Sequence, residues 1–359
     1  MILRVPEYYT GFHCVGGSCP RNCCVGWEIA VDEKTAAAYR AFPGPLGDCL
    51  RQALSKDADG EYRMVRQGRR CSFLDEKNLC RIQAALGSAY TSEVCRVHPR
   101  FTEEYGPLRE ISLSASCPEV ARLLLFRTTP LSFPEWELPE PGTEPDEWLE
   151  PLLLCRSRML EILCRRSLPW RTRAAWALLV ANEAQTILDD GDRGDLEELC
   201  LACAQLPLEL PAQVTVPGEG LFPAGLRVLE QMEILEEDWP ALLRAAERPS
   251  QFRLPDWALE RISCYFIFRY LLHTVNDGDL LSRAELAVFG PLTAERLASR
   301  TGTAEAALYR FCRELEHDRE NLKTLQSDFC SLPSVSLGRF FEELSAGADS
   351  KKTQDKCKL

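Results

Sequence analysis

From residue 147 onward, apolar side chains recur at intervals of three and four. Leu149, Leu152, Leu153, Cys155, Met159, Leu160 and Leu163 form one stripe, and Trp176, Leu179, Val180, Ile187 and Leu188 continue it. This is the period of amphipathic helices that bury one face. Pro255-Asp256 opens the most apolar segment, which runs through Ile262, Tyr265, Phe266, Ile267, Phe268, Tyr270 and Leu271 to a stop at Asn276-Asp277-Gly278. It is predicted to be a buried central helix. Thr303 offers an N-cap with an early carboxylate, predicting a further helix through Leu308, Phe311, Leu315 and Leu322.

Before Pro130 the pattern weakens to short helical candidates at 33–39, 47–54, 78–86 and 118–126, separated by loops. Residues 128–146 (TTPLSFPEWELPEPGTEPD) hold five prolines, which suit neither a helix interior nor a central strand. The fold class expected is therefore mainly α, a loop-rich cysteine-cluster N-terminal domain followed by an α-helical bundle domain. The boundaries drawn are 1–127, a proline-rich linker at 128–146, an acidic helical domain at 147–345 and a disordered polar tail at 346–359.

Composition narrows the class. Across 359 residues, 45% hydrophobic and 27% charged side chains suit a globular protein, and no run of 18 apolar residues offers a membrane span. Arg4, Pro6 and Glu7 interrupt the apolar stretch that an export signal needs, so the expected location is cytoplasmic. Charge is uneven. The first 127 residues hold 17 Lys or Arg against 15 Asp or Glu, leaving 25 against 39 beyond. Such an acidic surface repels phosphate backbones and attracts lysine-bearing proteins, which argues against nucleic acid as a partner.

The reducing cytosol expected here leaves thiols free unless a metal or catalysis claims them, so the 17 cysteines speak of chemistry rather than of disulfides. Nine lie at or before Cys117. Cys14, Cys19, Cys23 and Cys24 crowd one loop, and Cys71, Cys80, Cys95 and Cys117 follow. Thiolates are soft donors that select zinc, cuprous copper or iron–sulfur clusters. Eight exceed what one four-iron cluster needs, leaving open two clusters, one cluster with zinc, or one cluster with spare thiols. Cys49 falls off the pattern. Cys155, Cys164, Cys264, Cys312 and Cys330 read as buried apolar thiols, and Cys200 and Cys203, although spaced as a metal knuckle, fall in an expected helix. His13 and His98 sit beside cysteines without a partner at metal-ligand spacing. Gly26 stands where a Cys-x3-Cys-x2-Cys radical signature would need its third cysteine, and no Gly-x-Gly-x-x-Gly turn follows a strand.

The runs EYYTGFHC, CPRNCCVGWEIAVDEKT, CSFLDEKNLCRIQAALG, CRVHPRF and GPLREISLSASCPEVARLLL, with a second echo at CRELEHDRENL (312–322), resemble the flagellin lysine-N-methylase family. The N-terminal part is also similar to the wider group of cysteine-cluster proteins described as zinc- or iron-chelating. The match is dense over residues 6–126 and thinner beyond. The resemblance implies methyl transfer from S-adenosylmethionine to lysines of flagellin, with an iron–sulfur cluster, 4Fe-4S in type, as resident cofactor and zinc as the alternative. It puts the metal ligands at Cys14, Cys19, Cys23, Cys24, Cys71, Cys80, Cys95 and Cys117.

Methylation needs a neutral lysine amine, whose free pKa of ~10.4 must be overcome by desolvation or proton removal. Tyr8, Tyr9, Tyr105 and Glu110 lie in the family-like runs as candidate catalytic groups. Arg96, Arg100 and Arg109 are candidates for the cofactor's carboxylate, since a guanidinium binds carboxylate bidentately. Glu314, His317 and Asn321 would share one helix face and line a polar cleft. The competing reading is a non-enzymatic iron–sulfur or zinc carrier, against which more than half of the chain lying beyond the cysteines weighs.

Overall fold

The computed structural model describes residues 1–203, 215–248 and 250–346. The expected tail after Ala346 lies outside them. Helices dominate, as the periodicity predicts. The Pro118–Phe126 helix matches its predicted range, with proline in the first turn, where its missing N–H costs nothing. Asp32 caps the Glu33–Ala41 helix by accepting from the Thr35 N–H at 2.9 Å, and Thr303 caps the Ala304–Glu316 helix through Ala306 N at 3.1 Å.

Three predicted helices differ from expectation. The 47–54 segment is helical from Gly44 to Gln52, and Leu54 already belongs to a strand. The 78–86 helix begins only at Arg81, because Asn78 adopts a left-handed φ of 58° in the preceding turn. The helix from Thr303 does not continue through Leu322. It stops at Glu316, and a new helix, Arg319–Ser331, starts where Asp318 caps Glu320 N at 2.9 Å. The central Asp256–Tyr270 helix passes through a 3-10 turn, Leu271–His273, to a short Thr274–Asp277 helix ended by left-handed Gly278.

A four-stranded sheet was not predicted. Its order is Arg100–Tyr105, Leu108–Leu113, Ile2–Arg4, Glu135–Glu137. Ile2–Arg4 runs parallel to Leu108–Leu113, with Ile2 opposite Leu108, and antiparallel to Glu135–Glu137. The proline-rich 128–146 stretch supplies only this edge strand, the position proline tolerates. At the hairpin turn Gly106 has φ 58°, and a Cβ there would come within 2.6 Å of Pro145 Cα. Glycine is needed on both counts.

Two cores result. The larger joins Tyr8, Phe12, Tyr105, Leu108, Leu113, Val120 and Leu124 to the helices through Leu344. The smaller gathers Ile29, Val31, Tyr39, Leu50, Met64, Cys71, Phe73 and Ile82. One continuous core thus crosses the boundary drawn at 128–146, and the separate body is the stretch around residues 29–82. Buried Arg261 reinforces the large core across the chain, donating to Glu7 at 2.9 Å and to the carbonyls of Leu124 and Thr129 at 2.5 and 2.6 Å.

Inside that core, Gly290 on the Leu281–Thr301 helix meets Phe266 on the Asp256–Tyr270 helix, and a Cβ there would sit 2.4 Å from the Phe266 ring. Gly290→Ala gains up to ~1 kcal/mol of helix propensity. Overpacking costs about 1–3 kcal/mol, so net destabilisation is expected in urea unfolding. Nearby, burial pushes the Glu285 carboxyl up from 4.5 to about 9, and the Asp279 charge adds to the shift. Its Oε2 has no hydrogen-bond partner. The raised folded pKa means this group's contribution to stability is full below pH ~4.5 and lost as pH climbs toward 9. Glu285→Gln should therefore leave the melting temperature unchanged near pH 4 and raise it increasingly through pH 8.

Candidate metal centre

Hydrogen bonds within residues 16–95 tie the cysteine loops to one another. The Gly16–Ser18 turn lies between Cys14 and Cys19, and a Cβ on Gly17 would fall 2.5 Å from the Lys77 carbonyl. Only glycine lets the first cysteine loop lie against the 75–79 turn. Asn22 closes the same junction, donating to the Asn78 carbonyl at 3.1 Å and accepting from Cys24 N at 2.8 Å. Cys71 N donates to the Cys24 carbonyl at 2.9 Å, and an isolated bridge pairs Leu74 with Cys80. Ser92 Oγ donates to Cys95 Sγ at 3.1 Å. Cys117 stands at the N-cap of the Pro118–Phe126 helix.

These segments surround a cavity of about 370 Å³, within the ~300–1,000 Å³ common for ligand sites. Cys14, Cys19, Cys23, Cys24, Cys80, Cys95 and Cys117 line it. Cys71 is buried in the smaller core instead, with Cys24 and Cys80 packed against that core. Cys49 is exposed and outside the cavity lining. Among the described residues no three Cys, His, Asp or Glu side chains converge closely enough to grip a single ion. The thiols ring a space rather than a point.

Burial sets the electrostatics of this ring. It pushes the Cys95 thiol up to about 11 and Cys117 up to about 12. It also raises Cys19 and Cys71. Cys24 hydrogen-bonds to Cys23, which favours the thiolate on Cys23 and holds the proton on Cys24. Without a counter-charge most of these sulfurs stay protonated. A bound cation would reverse that preference.

His98 also lines the cavity, its ring edge-on to Trp27 at 5.0 Å. Burial first, then the charges of Arg313 and Arg269, lowers His98 to about 4, so its imidazole is neutral near pH 7. His13 lines the cavity as well. Arg96 and Arg100 lie on the wall, Arg100 over the rings of Tyr9 and Phe12 at 5.7 and 5.2 Å. Arg96 donates to the Thr91 carbonyl. Arg109 lies elsewhere, paired with Glu104 at 2.7 Å and Glu140 at 2.8 Å.

Glu110 also lies away from the cavity. It accepts from Arg156 at 2.5 and 2.7 Å and from Arg4 at 3.0 Å, a buried structural pair. Tyr8 and Tyr105 are core residues, their hydroxyls made less acidic mainly by burial. Tyr9 reaches the site only through its contact with Arg100.

One wall comes from far along the chain. Arg313, on the Ala304–Glu316 helix, lies over Trp27 at 4.9 Å and donates to the Val25 carbonyl at 2.6 Å and to Glu236 at 2.7 Å. Arg21 and Arg69 reach the same Glu236 at 3.2 and 3.5 Å. Glu314 and Asn321 hold the loop that carries it. Glu314 accepts from Leu235 N and Glu236 N at 2.7 and 2.9 Å, and Asn321 accepts from Glu233 N at 2.9 Å. His317 Nδ1 contacts the Glu314 carbonyl at 2.8 Å. Glu314 and Asn321 therefore clasp a loop from two helices, and His317 turns back onto its own helix, instead of the three lining a cleft from one face. Sequence reasoning missed Arg313 as a site residue, although the 312–322 echo contains it.

The remaining thiols divide. Cys155, Cys264 and Cys312 are buried as expected and Cys164 is half-buried, but Cys330 is exposed, because it sits on the outer face of the Arg319–Ser331 helix. Cys200 and Cys203 are buried on the Arg193–Cys203 helix.

Comparison with known proteins gives 28% identity over 210 residues to a lysine-N-methylase of Salmonella typhimurium, covering 55% of this chain and 51% of that protein. The lysine-N-methylase of Salmonella choleraesuis matches to the same extent. The flagellar biosynthetic protein FliU of Salmonella muenchen is 34% identical over 126 residues, 33% of this chain and 75% of FliU. The chain spans about half the length of the two lysine-N-methylases. No family profile matches, and no solved structure does.

Proposed function

The chain belongs to the flagellin lysine-N-methylase family, and from that membership we propose that it transfers methyl groups from S-adenosylmethionine to flagellin lysines, using a cavity that holds an iron–sulfur cluster. The observation that carries this reading is the convergence of seven cysteines, from loops as far apart as Cys14 and Cys117, on one cavity. Buried apolar cysteines have no reason to gather around an open space. Soft thiolate donors are what iron–sulfur clusters take. A single zinc would need its sulfurs about 2.3 Å from one point. Thiols spread around a cavity suit a polynuclear core better. When bound, such a cluster supplies an iron centre capable of electron transfer or of coordinating a substrate group.

The chain's own residues supply the rest of the site. Arg96, Arg100 and Arg313 give the wall positive charge, which attracts a donor carboxylate and favours the neutral form of an entering lysine amine. His98, neutral near pH 7, can accept a hydrogen bond from that amine without adding charge. Trp27 and the half-buried thiols keep the surroundings poor in water, which further favours the uncharged amine. Beyond residue 127 the excess of acidic residues, 39 against 25 basic, draws a lysine-bearing partner toward the protein. No helix among the described residues is long and apolar enough to cross a membrane.

The test is incubation of the anaerobically purified, iron-loaded chain with S-adenosylmethionine and flagellin, followed by intact-mass analysis of flagellin. Added methyl mass, lost with Arg100→Ala, is the expected outcome. Unmodified flagellin in the presence of folded, loaded protein would count against the assignment.

A further inference from the structure

A lysine ammonium has to lose a proton before its nitrogen can take a methyl group, and the carboxylates on the cavity lining are already committed. Glu28 is held by Arg66 at 2.9 Å, and Glu119 is gripped by Arg122 through both oxygens at 2.7 and 2.8 Å. Ser116 lines the same cavity, and behind it a line of hydroxyls leads to Glu316, a carboxylate outside the lining.

The line is built at the turn between the Leu108–Leu113 strand and the Pro118–Phe126 helix. Ser114 N donates to the Pro99 carbonyl at 2.8 Å, which sets the turn beside His98 and Arg100 of the cavity wall. Ser116 Oγ lies 2.5 Å from Ser114 Oγ, and Ser114 donates to Glu316 Oε2. With the Ser114 proton committed to Glu316, Ser116 donates to Ser114, and its own oxygen keeps lone pairs for a donor in the cavity. Ser114 and Ser116 are 1 and 2% exposed and the Glu316 side chain 2%, so bulk water does not reach the line.

Glu316 ends the Ala304–Glu316 helix, and its other oxygen accepts from the Tyr265 hydroxyl at 2.8 Å. Ser114 and Tyr265 are hydroxyls, which can hand on one proton while taking up another. A guanidinium cannot, and the one beside Glu316, Arg269, stands off at 3.5 Å. The other groups facing Glu316 are Tyr8, Tyr270 and Cys312, and burial keeps each of them protonated, as it does Tyr265. One hydroxyl would be enough to tie the turn to the helix. The second, Ser116, extends the line to the cavity wall.

We propose that Ser116, Ser114 and Glu316 form a proton relay that carries the proton of a lysine ammonium from the cavity to a buried carboxylate. The proposal rests on the methylation reading above. Ser116 touches the amine, and Ser114 and Glu316 act through it. The ammonium gives one proton to Ser116 Oγ as Ser116 passes its own to Ser114 and Ser114 its own to Glu316 Oε2. Both hydroxyls end with one proton, Glu316 ends neutral, and the amine's lone pair is free to take the methyl group. Once the thioether and the methylammonium product leave, the proton on Glu316 returns to solvent along the same hydroxyls.

Methyl transfer to flagellin by the full-length, iron-loaded chain is followed from about pH 6 to about pH 10, up to the free-lysine value, for the wild type, Glu316→Gln and Ser116→Ala. Glu316→Gln keeps the shape but cannot take the proton, so kcat should fall about 100-fold near neutral pH, the low end for positioned proton transfer, and recover as rising pH deprotonates the amine from solvent. Ser116→Ala should give the same profile, and it decides alone if Glu316→Gln fails to fold. A folded variant with wild-type rates, or with a loss that does not shrink as pH rises, overturns the relay. A second readout needs no turnover. With S-adenosylhomocysteine and flagellin bound, the infrared difference spectrum of the wild type should show a protonated carboxylic acid that is missing in Glu316→Gln, and its absence from the wild type overturns the relay as well. Wild-type protein that adds no methyl at any pH would instead overturn the methylation reading, and the relay with it.

Discussion

Glu110→Ala is expected to destabilise the protein by about 3–5 kcal/mol, because it strands a buried cation. Arg156 is only 3% exposed, and its strong partners are the two Glu110 oxygens at 2.5 and 2.7 Å. Beyond these it has the Phe268 carbonyl at 3.4 Å and the Phe268 ring at 5.4 Å, neither of which neutralises its charge. Urea unfolding should show the loss directly. Glu110→Gln keeps the shape and one acceptor and should lose less. Neither change should alter the proposed methyl transfer per folded molecule, because Glu110 lies away from the cavity. A catalytic base would behave in the opposite way, with turnover collapsing in a Gln variant that stays fully stable.

Arg313→Ala should lower stability by about 2–4 kcal/mol and loosen the cysteine loops from the helical core. The guanidinium is 2% exposed and joins three elements, the Val25 carbonyl, Glu236 and the Trp27 ring. Its removal leaves a half-buried carbonyl without this donor, costing up to about 1–3 kcal/mol. It also weakens the Glu236 cluster without orphaning it, since Arg21 and Arg69 remain. That sharing is why the expected loss is smaller than for a lone buried pair. Hydrogen exchange should accelerate in residues 22–28 before it does in the Asp256–Tyr270 helix, and iron should leave faster on chelator challenge.

How much of this was legible in the sequence depends on the range of the interaction. Local signals read well. The Pro118–Phe126 helix, the Thr303 cap and the Gly278 stop each depend on residues within four positions of one another. The sheet did not read, because its strands are three to six residues long and Ile2 pairs with Leu108. Too short a strand has no period to detect, and a pairing across more than a hundred residues leaves no local trace. The break at Asp318 was hidden for a different reason. No glycine or proline marks it, and the periodicity of Leu308, Phe311, Leu315 and Leu322 passes through it.

The same distinction governs the site. The cysteines are conspicuous by type and spacing, and they lie together around the cavity apart from Cys71. Glu110 and Tyr105 looked chemical because they are polar residues in family-like runs, yet they alternate into the core of a strand pair. Arg313 is a site residue 288 positions from its Val25 partner, and only the fold brings the two together. His98 illustrates what burial adds, since its neutrality near pH 7 follows from surroundings supplied by several distant elements.

The central claim is that thiols of the 14–117 region hold iron as a sulfide-containing cluster. The most direct measurement is the visible absorption spectrum of the full-length chain purified without oxygen, recorded before and after addition of a reductant. A brown protein is expected, with broad sulfur-to-iron charge-transfer absorption that partly bleaches on reduction and disappears in Cys19→Ser with Cys71→Ser. A folded, colourless wild-type protein containing zinc or no metal would contradict the claim.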